Sequence, residues 1–548
     1  MSEPPSATDR IGADFWAWRA AQQPCTSDDI VRIVRPKGWR PEWAPDAITG
    51  YGAALGQHER ALAALPEPAD TAEHVDRMLL RSAMARVHWE LDVLRSWQRN
   101  PGFYVDQTLG ALFELLTPPQ VDRARLLDVT RILKHIGPTL EAARHNLDGL
   151  AAAEPAARAV EGLGTVVNDV GAVVRALAGI RPSGWTADDD RTLDAAGRQA
   201  ASALAEFRTW LAAQVPALPP AQPVGRDAFQ WFLAHVALVP LTPEELLELG
   251  RREFDRAASL ELLARNRAAN ADEKPAYEIH TIDDLIAAEE RAARDVRSHY
   301  ARNRLLSEPN GLRRYLYAPL PDHLRPIQAL GVTDDLTGPD RLDQDAVSYV
   351  TPPRDDLPYF AAASALDPRL GIVHEGAHYE QLARSWRHPR PIRRHYYDSA
   401  ANEGIAFYNE ELAATSGLFD TSPRAGATIY NFMRLRALRV EVDVQLAVGD
   451  LDVVAATARL RDDVPLDEPT ARAEATFFAT APGQASSYQI GKSQILSLLA
   501  DAAQQAGSEF DLRGFHDRLW LEGNVPLALQ RLELLGDDTD LRRVADLS

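Results

Sequence analysis

The chain is predicted to be mainly α-helical, with a few short strands beside a metal-binding helix, and three observations lead there. Apolar residues recur at helical spacing through most of the first 215 of its 548 residues. The stretch from Gly371 to Leu382 reads Gly-Ile-Val-His-Glu-Gly-Ala-His-Tyr-Glu-Gln-Leu and contains the pattern H-E-x-x-H. Strand-like composition is confined to Arg313–Val332, interrupted by Pro319, Pro321 and Pro326, and to Ala346–Thr351.

Taken in order, Ile11–Ile48 is rich in Trp, Pro and charge and reads as an extended segment held to the surface by Trp16, Trp18, Trp39 and Trp43. Thr71–Trp97 carries Val75, Met78, Leu79, Met84, Val87, Leu91 and Leu94 at helical spacing, and Asn100-Pro101-Gly102 stops it. Further helical patterns cover Val121–Ile136, Pro138–Leu150, Ala156–Ala178 and Asp188–Leu211, so residues 1–220 form an N-terminal helical lobe. Pro216–Gly225, with four prolines, marks the boundary to a second lobe, 221–548, packed closely on the first. There Arg226–Leu238 reads as a helix. Thr242-Pro243-Glu244-Glu245 opens another with Thr at the N-cap and Pro in the first turn, and Thr281-Ile282-Asp283-Asp284 opens a third.

Composition narrows the function classes. Hydrophobic residues are 45% and charged residues 25% of the chain, the balance of a globular enzyme with an extensive core. A net charge of −20 disfavours nucleic acid and anionic membrane surfaces as partners. The single Cys25 excludes an intramolecular disulfide and a cysteine zinc site. Met1–Arg10 shows no secretory signal pattern, and the most apolar run, Ala228–Leu241, is too short for a membrane span, so a cytoplasmic location is expected.

On a helix, His374 and His378 share a face and can bind one zinc, while Glu375 can reach a water in the open coordination position. An accidental match to the pattern is expected only about 0.02 times in a chain of this composition. The competing structural explanation is a helix with two satisfied core histidines. A third ligand is needed, and Gln381 and Arg384 stand where a metzincin has glycine and histidine. Asp398-Ser399 can cap a helix over Ala400–Ala414 on which Glu403 and Glu410 share a face. Glu403 is the expected ligand; Glu410 is either its competitor or the acceptor that orients a ligand imidazole. His395 and Asp398 are near in sequence and could also support the ligands.

The segments Phe229–Leu233, Leu241–Leu246, His374–Gln381, Glu403–Tyr408, Arg436–Asp443, Pro482–Lys492 and Phe515–Asp517 together resemble the DUF885 family of bacterial proteins and, more distantly, gluzincin peptidases of the thimet oligopeptidase group. Many members of the family read H-E-x-x-P-G-H, whereas this chain has the compact peptidase spacing. Relatives often carry a histidine after the position of Asp443, where this chain has Leu446-Ala447-Val448. The resemblance implies a large helical zinc-peptidase-like fold and supplies no substrate.

Amide hydrolysis also needs a donor for the developing oxyanion. Tyr488 is the first candidate, with Tyr430, His516 and Lys492 behind it; the alternative for Tyr488 is a core tyrosine. Arg436 and Arg439, with Asp443 a turn further, suit either a substrate carboxylate or an internal ion-pair network. The expected function is therefore hydrolysis of an amide in a short peptide with Zn2+ held by His374, His378 and Glu403, Glu375 as base and Tyr488 as donor. The alternatives are hydrolysis of a non-peptide amide in specialised metabolism, or a non-catalytic binding protein retaining the zinc site.

Overall fold

Helices account for nearly all regular structure in the computed structural model, which describes residues 5–26, 33–270, 277, 279–354, 357–395 and 399–548. The first departs from expectation. Residues 7–22 form a helix, Ala7–Gln22, because Ser6 and Asp9 cap each other's backbone at its start and Phe15, Trp16 and Arg19 turn inward together. Among the described residues that follow, 23–26 and 33–44 lie outside helix and strand before the next helix begins at Pro45, and 27–32 lie outside the described residues; Trp43 is buried and the Trp39 indole donates to the Ala21 carbonyl.

Two further helix boundaries differ. Arg123–Leu147 is one helix running through Pro138. Lys134 and Pro138 lie on its exposed face, so the carbonyl that proline leaves without an N–H partner meets water. Conversely, Ala153–Gly162 and Val166–Ile180 are separate, broken between Gly162 and Thr165. The helix from Thr71 ends at His88 and continues as a π-helical turn, Trp89–Leu94, before Arg95 takes a left-handed conformation. Ala187–Gln214, Pro243–Ala269 and Ile282–Asn303 start at Thr186, Thr242 and Thr281, each with a reciprocal capping box. Among the described residues no single helix is long and apolar enough to cross a membrane.

Five helices build the site: Ile282–Asn303 (α1), Arg369–Ser385 (α2), Ser399–Thr415 (α3), Pro423–Val448 (α4) and Gln484–Ala506 (α5). Three short strands form one small sheet: β1 (Tyr315–Pro319), β2 (Asp334–Asp335) and β3 (Ala346–Val350), in the order β1-β3-β2. β1 runs parallel to β3 and β2 antiparallel to it. The sheet has two working faces. Leu316, Ala318, Val347 and Tyr349 join the large apolar cluster of the first 211 residues, while Tyr315 and Tyr317 point to the helices of the site. The expected boundary near residue 220 falls in the irregular stretch 218–225, yet that same cluster continues beyond it into Leu324, Ile327, Val525 and Leu529.

Candidate metal centre

α3 is fastened to α2 by a repeat. Asn402-Glu403 and Asn409-Glu410 are seven residues apart, so the four side chains share one face, and all four engage α2. The Asn402 amide donates to Gln381 Oε1, and the Asn409 amide donates to the Val373 carbonyl at 2.6 Å. Between these ties, Glu403 Oε2 lies 3.2 Å from His378 Nε2 and 3.5 Å from His374 Nε2. Glu410 Oε1 lies 2.7 Å from His374 Nδ1, and the Arg436 guanidinium holds the same carboxylate at 2.7 Å. Glu410 thus takes the orienting role. Its bond to Nδ1 leaves His374 Nε2 directed toward Glu403.

Glycine sets the height of the neighbouring helix. Gly404 of α3 meets Gly491 of α5 so closely that a Cβ on Gly491 would stand 1.9 Å from the Ala400 carbonyl oxygen. Asp443 of α4 accepts the Gly483 and Ser486 backbone N–H groups at 3.0 and 2.8 Å, capping the start of α5. Burial still pushes the Asp443 carboxyl up to about 6 despite those bonds. With α5 so placed, the Tyr488 ring stacks on His374 with centroids 6.1 Å apart and 16° between planes. The Arg436 and Arg439 guanidiniums lie 5.4 and 5.7 Å from the Tyr488 ring centre.

His374, His378 and Glu403 each present a ligand atom, all within 4.8 Å of one another. His378 and Glu403 are 3% exposed, and His378 Nδ1 and Glu403 Oε2 lack a well-formed hydrogen bond among the described residues. Burial opposes ionisation of Glu403, but the two imidazoles hold it well below the usual carboxylate range. Burial likewise pushes the His374 imidazole down, yet Glu403 and Glu410 outweigh it and hold it at about 9. Two imidazoles and one carboxylate with convergent lone pairs fit zinc in type and number.

Glu375 stands on the side of α2 that faces the sheet, half-buried, with no hydrogen bond or ion pair among the described residues. The remaining candidates are committed elsewhere. His516 is a satisfied core histidine: Nδ1 donates to the Leu305 carbonyl at 2.6 Å, and Nε2 is 2.8 Å from the Tyr408 hydroxyl. Lys492 is fully buried on Glu411 at 3.0 Å and over the Phe407 ring. Tyr430 feels the Glu411, Arg256 and Arg267 charges rather than the metal ligands. Arg436 and Arg439 are used internally, on Glu410 and Glu474. Asp443 belongs to the α5 cap, not to an arginine. His395 stacks on Trp16 at 4.6 Å, where burial pushes it down to about 4, and Asp398 lies outside the described residues.

A cavity of about 770 Å³ lies between the N-terminal helices and the first turns of α3 and α5. Its walls include Trp43, Trp89, Arg158, Ser399, Glu474 and Gln484 but none of the three ligand residues. Ser399 bridges the starts of α3 and α5 by donating to Gln484 Oε1 at 2.7 Å.

A profile of the family described as "Bacterial protein of unknown function (DUF885)" matches residues 41–533. No curated protein matches the chain. Two solved structures superpose along nearly the whole of it. One, described as a "putative lipoprotein of unknown function" from Shewanella oneidensis, has a TM-score of 0.72 at 17% identity and covers 97% of this chain and 100% of its own. The other, a "putative lipoprotein" from Colwellia psychrerythraea, has a TM-score of 0.72 at 15% identity and covers 99% of each. At such identities the likeness is one of fold.

Proposed function

The chain belongs to the DUF885 family, and from that premise we propose that it is a zinc-dependent hydrolase cleaving an amide bond in a short peptide, on a fold related to the gluzincin peptidases. The observation that carries this reading is a division of labour along α2. His374 and His378 converge with Glu403 on one point, while Glu375 between them is left without a partner among the described residues. A purely structural zinc site needs no such base and closes its fourth position with a further ligand.

His374, His378 and Glu403 would hold zinc, which when bound would supply Lewis acidity and make a water more acidic. Glu375 would accept a proton from the water that attacks the substrate carbonyl and pass it to the departing amine. Glu410 and Arg436 hold the His374 ring in register. Tyr488, stacked on that ring, donates to the oxyanion.

The test is a hydrolysis screen over dipeptides and oligopeptides with the zinc-loaded protein and its Glu375→Gln variant. The expected result is turnover by the first and a loss of about 10²–10⁴-fold in the second. Equal turnover by both removes Glu375 from the chemistry. No turnover by either, with zinc bound, favours the non-catalytic binding protein.

A further inference from the structure

The sheet face turned toward α2 carries polar groups that the hydrolytic chemistry leaves unused. Tyr317 of β1 pairs in register with Ser348 of β3, and Ser348 with Asp334 of β2, so the three point to the same side. Tyr315, two residues before Tyr317, joins them and donates to Asp334 Oδ1 at 2.5 Å. Glu289 of α1 and Glu375 of α2 face this row, close enough for their charges to act on Asp334 and the two tyrosines.

Three carboxyl groups therefore converge, and among the described residues none of them has a cationic partner. Arg297 is near, but its guanidinium lies 3.7 Å from Glu308 and 3.9 Å from Glu380. A second observation is independent of the carboxyls. The Tyr317 hydroxyl is buried and has no hydrogen-bond partner among the described residues. Leaving such a hydroxyl unpaired is costly. Glu289, Asp334 and Tyr317 are buried but each retains 8–9% exposure.

We propose that this face receives a cationic ammonium group of the substrate, with Glu289 and Asp334 as its counter-charges and the Tyr317 hydroxyl as an acceptor. The inference rests on the hydrolase reading above and narrows its substrates to peptides that carry a free amine. Glu375 links the two regions, since it borders the ammonium site and follows a metal ligand in sequence. Burial and the Asp334 and Asp367 charges push Glu289 up to about 8, burial and the Glu375 and Asp335 charges push Asp334 up to about 6, and a bound cation relieves both. The amine is either the peptide's own N-terminus or a basic side chain.

Three probes separate these sources: leucine hydroxamate, N-acetyl-leucine hydroxamate and N-acetyl-lysine hydroxamate, titrated calorimetrically into zinc-loaded protein. An N-terminal amine site gives about 10–100-fold tighter binding of the first than of the second. A basic-side-chain site gives that advantage to the third. In either case Glu289→Gln and Tyr317→Phe reduce the advantage while zinc content stays constant. Tyr317→Phe removes only an unpaired hydroxyl, so its fold is retained. Equal binding of all three probes overturns the ammonium site and leaves the hydrolase reading standing. If the protein takes up no zinc, the hydrolase reading fails instead. The ammonium site is then read with leucine amide and N-acetyl-leucine amide on the metal-free protein, where equal binding overturns it.

Discussion

His374 Nδ1 and Glu410 Oε1 stand 2.7 Å apart, and this contact separates two glutamates that share a helix face. Glu403 faces the Nε2 atoms of both histidines; Glu410 fixes one ring from behind and is itself held by Arg436. Glu403→Ala is expected to abolish most zinc binding. Glu410→Gln keeps the site and weakens it by about 10–100-fold, the usual cost of losing an orienting partner. Zinc titration against a competing chelator checks both, and the opposite ranking would make Glu410 the ligand.

The contact between Gly404 and Gly491 yields a stability prediction. A methyl group at residue 491 has backbone on both sides, the Ala400 carbonyl oxygen at 1.9 Å and Gly404 Cα at 2.7 Å, and no side chain able to move aside. Gly491→Ala should destabilise the protein by about 3 kcal/mol, the upper range of overpacking, and weaken zinc binding because Glu403 adjoins Gly404. Denaturant unfolding and zinc uptake measure the two effects; an unchanged midpoint would mean that α3 and α5 do not meet there.

Legibility followed the range of the interactions. Thr186, Thr242 and Thr281 announce their helices because a capping box is complete within four residues. The same signal stands at Ser6 and Asp9, ahead of a tryptophan-rich composition that reads as extended although the residues from Ala7 to Gln22 are helical. Pro138 divides a pattern on paper, but whether it divides a helix depends on which face meets water. Glu403, the expected ligand, and Glu410 share a face but lie about 10.5 Å apart along the axis, seven residues of helix, so only one of them can meet both imidazoles. The Asn-Glu repeat was a readable sign that both ends of this face grip α2. Nothing local foretold Glu289 beside Tyr317 and Asp334, because register and packing across three separate segments bring them together.

Glu289 gives a pH dependence. Burial, and the neighbouring Asp334 and Asp367 charges, push its carboxyl from the ordinary 4.5 up to about 8. A raised carboxyl binds more protons in the folded state than in the unfolded one, so its contribution is full below pH 4.5 and is lost as pH rises toward 8. The loss is at most about 1.4 kcal/mol per pH unit over that window. Urea unfolding of the metal-free protein at pH 5.5 and pH 8 should show a larger drop for the wild type than for Glu289→Gln. Equal drops would show that Glu289 is ionised or paired in the fold.

Tyr488 is the remaining test, and it separates chemistry from packing. Its ring is parallel to that of His374 and beneath two guanidiniums, so the aromatic face is used whether or not the hydroxyl is. Tyr488→Phe keeps the face and removes only the oxygen. If the hydroxyl donates to the oxyanion, zinc content and melting temperature stay near wild type. The kcat per zinc-loaded molecule then falls by about 10–10³-fold, toward the typical cost of one lost oxyanion donor. KM changes less, because the donor acts on charge that develops after binding. If the hydroxyl only satisfies a neighbour in the fold, the melting temperature falls through that neighbour's unpaired group while kcat per folded molecule holds. Measuring kcat, KM and melting temperature on the same zinc-loaded preparation distinguishes the two, and an unchanged kcat removes Tyr488 from the catalytic set.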